Sequence, residues 1–225
     1  MARVIVAIAL ALVMVMGMTA VGCNSVDDNS DITNGDVTNG NEPNGDITNG
    51  DEPNGDEPNG YEPAEPDLSG LGLVIDCDEN TGPEPEVGDM AIDFRFQDAV
   101  GTTFSLSDFR GRLVILNFWA VHCGFCIAEM PHIQQLYDEW PTTELVLLTI
   151  DKGEESAVVA TFMQDEGLSF PALVDTAEKV PREYDVTGIP RTFFIDSEGI
   201  IQVIKRGYFH SYEDIEAIIN QLLSQ

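Results

Sequence analysis

From about residue 88 onward, apolar and polar positions alternate in two rhythms. Phe94 and Phe96, then Phe104 and Leu106, alternate with polar residues on either side of Gly101, which predicts a hairpin. Leu113-Val114-Ile115-Leu116-Asn117-Phe118 is almost continuously apolar, as a strand covered on both faces must be. Ile127, Met130, Ile133, Leu136 and Trp140 then recur at steps of three and four, the spacing of one helix face. Leu145 to Ile150 reads as a second buried strand, and Val158, Val159, Phe162 and Met163 as an amphipathic helix. Thr192 to Ile195 and Ile200 to Ile204 read as strands joined by a turn at Ser197-Glu198-Gly199. Ile215, Ile218, Ile219, Leu222 and Leu223 mark a closing helix that starts near Ser211. Strands alternating with helices predict an α/β layer fold over residues 87–225, a length usual for one domain.

Upstream of that block neither rhythm is present. Residues 31 to 60 are six successive pentapeptides, DITNG, DVTNG, NEPNG, DITNG, DEPNG and DEPNG. Asn-Gly and Pro interrupt any helix or strand, and no apolar position repeats to build a stacked core. Residues 24–86 therefore read as a disordered acidic spacer, with a typical reach of roughly 45 Å for about 60 residues. A calcium role for the repeat finds no known loop spacing. Ahead of it, Met1-Ala2-Arg3, the apolar run Val4 to Met18 and the small-residue stretch Thr19-Ala20-Val21-Gly22 before Cys23 describe a secretory signal, residues 1–23. Two anchors stay open: a lipid on Cys23, or an uncleaved helix from Val4 to Val21, just long enough to span a bilayer. Either leaves the rest of the chain outside the cytoplasm on a membrane tether.

Charge sharpens that division. The chain carries a formal charge of −30. No Lys or Arg occurs between Arg3 and Arg95, while 19 acidic residues lie between Asp27 and Asp89. From residue 90 onward 21 acidic residues face 9 basic ones, a net charge of −12. Nucleic acid and anionic lipid surfaces are excluded as partners, because both would be repelled.

Cys123-Gly124-Phe125-Cys126 stands where the predicted strand ending at Phe118 turns into the predicted helix. A helix N-terminus lowers a thiol's pKa through its free N–H groups and dipole, and the thiolate is the nucleophile of disulfide exchange. Cys123, nearer solvent, would attack, and Cys126, one turn in, would resolve the mixed disulfide. A Cys-x-x-Cys alone also fits half a zinc site or a staple, but so short a ring constrains little of the unfolded chain. Peroxide reduction by a Pro-x-x-x-Thr-x-x-Cys motif is excluded, since those positions hold Leu116 and Ala120.

Phe118-Trp119-Ala120, two residues and then the Cys-x-x-Cys resemble the thioredoxin superfamily, and more closely its TlpA/ResA branch of tethered, extracytoplasmic thiol–disulfide oxidoreductases. Val87 to Phe94 resembles the branch's opening motif, with Ile92 where Pro is usual. Leu106 to Arg112 is similar to the approach to its first core strand. Glu129-Met130-Pro131 resembles its active-site helix, and Tyr184 to Pro190 the segment whose Pro is cis and faces the redox pair. The resemblance implies a thioredoxin-like fold, a central mixed sheet flanked by helices with an N-terminal hairpin. It implies Cys123 and Cys126 as catalytic, and Trp119, His122, Ile189 and Pro190 on the substrate side. A cis bond at Pro190 would free the Ile189 backbone to pair with a bound polypeptide. Protein thiols and disulfides are the implied partners, apocytochrome c among them in a reducing role, with a membrane electron donor and no cofactor.

Three departures change the chemistry. His122 precedes Cys123 where Trp is common, Phe125 replaces a usual Pro, and Asn117 stands where thioredoxins themselves bury an Asp. Proton handling at Cys126 then falls to Glu129, three residues on and on the same side of the helix. A partly buried carboxylate there would raise the Cys126 pKa and take its proton. A copper or zinc chaperone using Cys123 and Cys126, with His122 and His132 nearby, is the reading from another class. Cys77 is left over, ahead of the domain and without a partner.

Overall fold

The computed structural model describes residues 65–224. The signal segment, Cys23 and the pentapeptides lie outside the described residues. Eight strands form one mixed sheet: β1 (Leu71–Cys77), β2 (Phe94–Gln97), β3 (Thr103–Ser105), β4 (Leu113–Trp119), β5 (Leu145–Lys152), β6 (Ala172–Asp175), β7 (Arg191–Ile195) and β8 (Ile201–Arg206). Their order across the sheet is β3-β2-β1-β6-β5-β4-β7-β8. β4, β5, β6 and β1 run parallel, and the hairpin β2–β3 and the pair β7–β8 close the edges antiparallel. Among the described residues four α-helices complete the fold, α1 (Gly124–Glu139), α2 (Ser156–Glu166), α3 (Lys179–Glu183) and α4 (Tyr212–Leu223), with a short 3-10 turn at Leu106–Phe109. Among the described residues no helix is long and apolar enough to cross a membrane.

β4 is buried at every position, which is why it reads as continuously apolar. Val114, Leu116 and Phe118 enter one core with Phe94, Phe96, Tyr184 and Phe193. Leu113, Ile115 and Trp119 enter the other, with Met130 and Ile133 of α1, Val159 of α2 and Ile215 and Ile219 of α4. The period of two thus delivers alternate side chains of one strand to two separate layers.

β1 corrects the expected spacer. Leu71–Cys77 lies inside the stretch assigned to residues 24–86, yet it fills the sheet between β2 and β6. Its registers are Leu73 opposite Gln97 and Leu71 opposite Ala172, so its pairing is entirely long-range. Gly72 permits the close approach: a Cβ there would sit 2.5 Å from the Gln97 carbonyl oxygen and 2.6 Å from Leu173 Cδ2. Cys77 ends this strand half-buried as a free thiol, its Sγ 3.6 Å from the Asp93 carbonyl oxygen. Burial first, then the charges of Glu183 and Asp78, push that thiol up to about 12. It is a poor nucleophile.

Candidate active site

Cys123 is the N-cap of α1, with extended backbone (φ −93°, ψ 100°), and its sulfur accepts the Cys126 N–H at 3.2 Å. Cys123 therefore takes the place of the usual Ser or Asp cap and sits on the helix's positive end. Cys123 and Cys126 are joined as a disulfide, Cα atoms 5.2 Å apart. Cys126 is fully buried and Cys123 half-exposed, so only one sulfur of the pair meets solvent.

The peptide bond between Ile189 and Pro190 is cis. It brings the Ile189 carbonyl oxygen to 3.8 Å from Cys123 Sγ. The Ile189 N–H makes no hydrogen bond among the described residues, and β7 begins only at Arg191. An extended chain approaching Cys123 would find that backbone unpaired. Phe125, 64% exposed, stacks on Tyr208 with ring centroids 5.3 Å apart beside the redox pair. A shallow groove of about 490 Å³, lined by Val121, Val158 and Phe162, opens next to the loop that leads into Cys123.

Glu129 is more deeply placed than its position in the sequence predicts. It is 1% exposed, and its carboxyl is held by Asn117 Nδ2–H on Oε1 and by the Phe209 N–H on Oε2, both at 2.9 Å. Burial raises its pKa to about 7, against the lowering effect of those two donors. Asn117 also donates to Thr192 Oγ1 at 2.9 Å, so the amide in the core strand orients the acid and does not replace it.

Two of the expected substrate-side residues are placed differently from one another. His122 is exposed beside Cys123, its Nδ1 2.8 Å from Glu154 Oε1. Trp119 corrects the expectation. It is 1% exposed, packs against Phe162 and Phe170, and donates its indole N–H to Thr149 Oγ1 at 3.1 Å. The odd positions of β4 face the second core, so the Trp ring is a core residue.

Sequence reasoning missed Asp151 and Glu154. Glu154 accepts the Val121 N–H and the His122 ring, each at 2.8 Å, and Asp151 is fully buried just before it. Their signal was positional: acids at the carboxyl end of a central parallel strand, where α/β sheets open their sites. Among the described residues no group of three or more His, Cys, Asp or Glu side chains is gathered to hold a metal ion.

A family model, AhpC/TSA, matches residues 87–204. The chain belongs to that family. A thiol–disulfide oxidoreductase ResA of Geobacillus kaustophilus is 38% identical over 130 residues, 58% of this chain and 74% of that protein. ResA of Bacillus subtilis is 34% identical over 118 residues, 52% of this chain and 66% of the other. Among solved structures, a thiol:disulfide interchange protein DsbE of Chlorobium tepidum, so named as putative, superposes with a TM-score of 0.55 at 28% identity. That match covers 62% of this chain and 97% of that one. An exposed lipoprotein thioredoxin of Streptococcus pneumoniae gives 0.50 at 31% identity, over 58% and 99%. Within the AhpC/TSA family the chain is a thioredoxin-fold protein of the TlpA/ResA-like branch, a thiol–disulfide oxidoreductase acting on protein thiols and disulfides.

Proposed function

We propose that Cys123 is the nucleophile, Cys126 the resolver and Glu129 the proton partner of Cys126, in a tethered, extracytoplasmic enzyme that reduces protein disulfides. The observation that carries this reading is the juxtaposition at α1: a half-exposed sulfur on the helix cap, a buried sulfur one turn in, and a buried carboxyl one further turn along. In the reduced enzyme the Cys123 thiolate attacks a client disulfide, and one client sulfur leaves as thiolate. The Cys126 thiol passes its proton to the Glu129 carboxylate and attacks Cys123 Sγ, which releases the second client thiolate and closes the Cys123–Cys126 disulfide. Two electrons from a donor dithiol then reopen it. A carboxyl with a pKa of about 7 suits both directions of that proton transfer near neutrality. The Ile189–Pro190 backbone docks the client as an added strand, with His122 and Phe125 at its edge.

Apocytochrome c, its cysteines kept open for haem, is the client class, and a membrane thiol oxidoreductase the donor. Similarity to ResA proteins and to an exposed lipoprotein supports that placement, as does Cys23 at the end of an apolar run. The domains are then a lipid anchor at residues 1–23, an acidic spacer, and the folded block that gains β1. The test is trapping. Cys126→Ser, which keeps the nucleophile but not the resolver, is expected to accumulate mixed disulfides with client proteins through Cys123. Trapping at Cys77 instead, or none in Cys126→Ser, overturns the assignment.

A further inference from the structure

The proton path above leaves one fully buried acid without a task. Asp151 lies near the end of β5, in register with Trp119 of β4 and Val174 of β6. Its Oδ1 accepts the Glu154 N–H at 3.1 Å. Its Oδ2 is buried with no conventional hydrogen-bond donor aimed at it among the described residues. An ionised oxygen in that place would be an uncompensated buried charge. The N–H bond ties Glu154 to Asp151, so the two carboxyl groups are near neighbours, and two carboxylates have no donor between them. A proton on one of them supplies the missing donor and removes one buried charge. It belongs on Asp151, which is wholly buried and takes a single N–H. The negative charge belongs on Glu154, which takes the Val121 N–H and the His122 ring besides.

We propose that Asp151 and Glu154 form a one-proton carboxylate pair that positions the Val121–His122 approach to Cys123 and keeps one negative charge, not two, beside the nucleophile. Both are positioning residues, acting through the loop, and the proposal rests on the reading of Cys123 as the attacking thiol. While Asp151 holds the proton, Glu154 is fixed from three sides and ties the two residues just ahead of the helix cap. Loss of that proton to water leaves two like charges in contact. Glu154 is then repelled from its place, and a second charge opposes the Cys123 thiolate.

The surroundings favour retaining the proton. β6 contributes Asp175, which itself faces Lys179 and Arg182, β4 contributes the uncharged Trp119, and the loop contributes His122. Burial first, then the Glu154 hydrogen bond and the Glu154 and Asp175 charges, push the Asp151 carboxyl up to about 8. Burial would raise Glu154 too, but hydrogen bonds from Asp151, Val121 and His122 outweigh it and lower that carboxyl.

The experiment uses the full chain with Cys126→Ser, so that only the attack of Cys123 is read. Its rate on a small aromatic disulfide is followed from pH 6 to 10. The curve is expected to rise with thiolate formation and then fall short of a single-ionisation curve, by about three-fold, as the pair loses its proton. Adding Asp151→Asn, which offers Glu154 an N–H and holds no titrating proton, is expected to restore the single-ionisation curve. Superimposable curves with and without that substitution overturn the proposal. Infrared difference spectra between acid and alkaline pH give a second readout that needs no exchange activity. A protonated-carboxyl band retained in Glu129→Gln and lost in Asp151→Asn supports the pair, and a band unaffected by Asp151→Asn overturns it. Failure of Cys123 to attack at any pH would sink the functional reading, while the band still decides the pair.

Discussion

Behind Cys126, Glu129 sits alone between two N–H donors, from Asn117 and Phe209. Beside the loop into Cys123, Asp151 has one backbone N–H and a second carboxyl for company. Both acids are fully buried, and burial is the first cause raising each. The donors around Glu129 stabilise its charged form, so it crosses between states near neutrality, where thiol chemistry can use it. The neighbour of Asp151 has the opposite effect, since a nearby carboxylate opposes a second charge. Two acids of similar burial thereby acquire different tasks. In the proposed mechanism one exchanges a proton with a cysteine during turnover, and the other keeps its proton and holds a loop.

The largest expected effect tests the isolation of Glu129. Its folded pKa of about 7 lies above an unfolded value of 4.5. Between these the native state holds a proton that the unfolded chain has released, so stability falls as pH rises through that window. Integrated over the window, the loss is about 3 kcal/mol. Urea unfolding of the oxidised protein at pH 4.5 and 8, compared with Glu129→Gln, measures it. The same slope in both proteins would show that Glu129 ionises normally.

Asn117→Ala removes one of the two donors. It is expected to cost about 1–3 kcal/mol by leaving a buried oxygen unpaired, and to move the Glu129 titration further upward. An unchanged titration, followed by carboxyl carbon NMR, would mean that Phe209 alone holds the acid. In exchange itself, the Cys126 resolution step of the native protein is expected to change about ten-fold between pH 6 and 8, and less than about two-fold in Glu129→Gln. Stopped-flow traces across that range decide it. The smallest effect is the coupling between the two acids. They share no hydrogen-bond partner, so the stability changes of Glu129→Gln and Asp151→Asn are expected to add within about 0.5 kcal/mol. A larger coupling in a double-mutant cycle would mean that one network serves both cysteines.

Residues with a local cause were legible in advance. The hairpin around Gly101, the continuous strand at Leu113–Phe118, the helix that follows and the α4 stripe all appear where their periods place them. Cys123 as a helix cap follows from a strand, a short turn and a helix in succession, and Glu129 on the Cys126 side follows from helical spacing. β1 was not legible. Its residues look like the tail of an acidic spacer, and it becomes a strand only by pairing with β2 and β6. Trp119 was misread because its family motif sits beside the cysteines in sequence, while the pleat turns its ring into the core.

Sequence alone determined which residues can do redox chemistry here and where along the chain they fall, because capping, periodicity and Cys-x-x-Cys spacing act over a few residues. Tertiary structure decided how the acids behave. Whether Glu129 titrates near neutrality depends on its burial and on donors supplied by Asn117 and Phe209, one in the sheet and one 80 residues further on. Whether Asp151 carries a proton depends on the fold setting Glu154 and Asp175 around it in a dry site. Desolvation and through-space charge have no sequence period, so no pattern along the chain announces them.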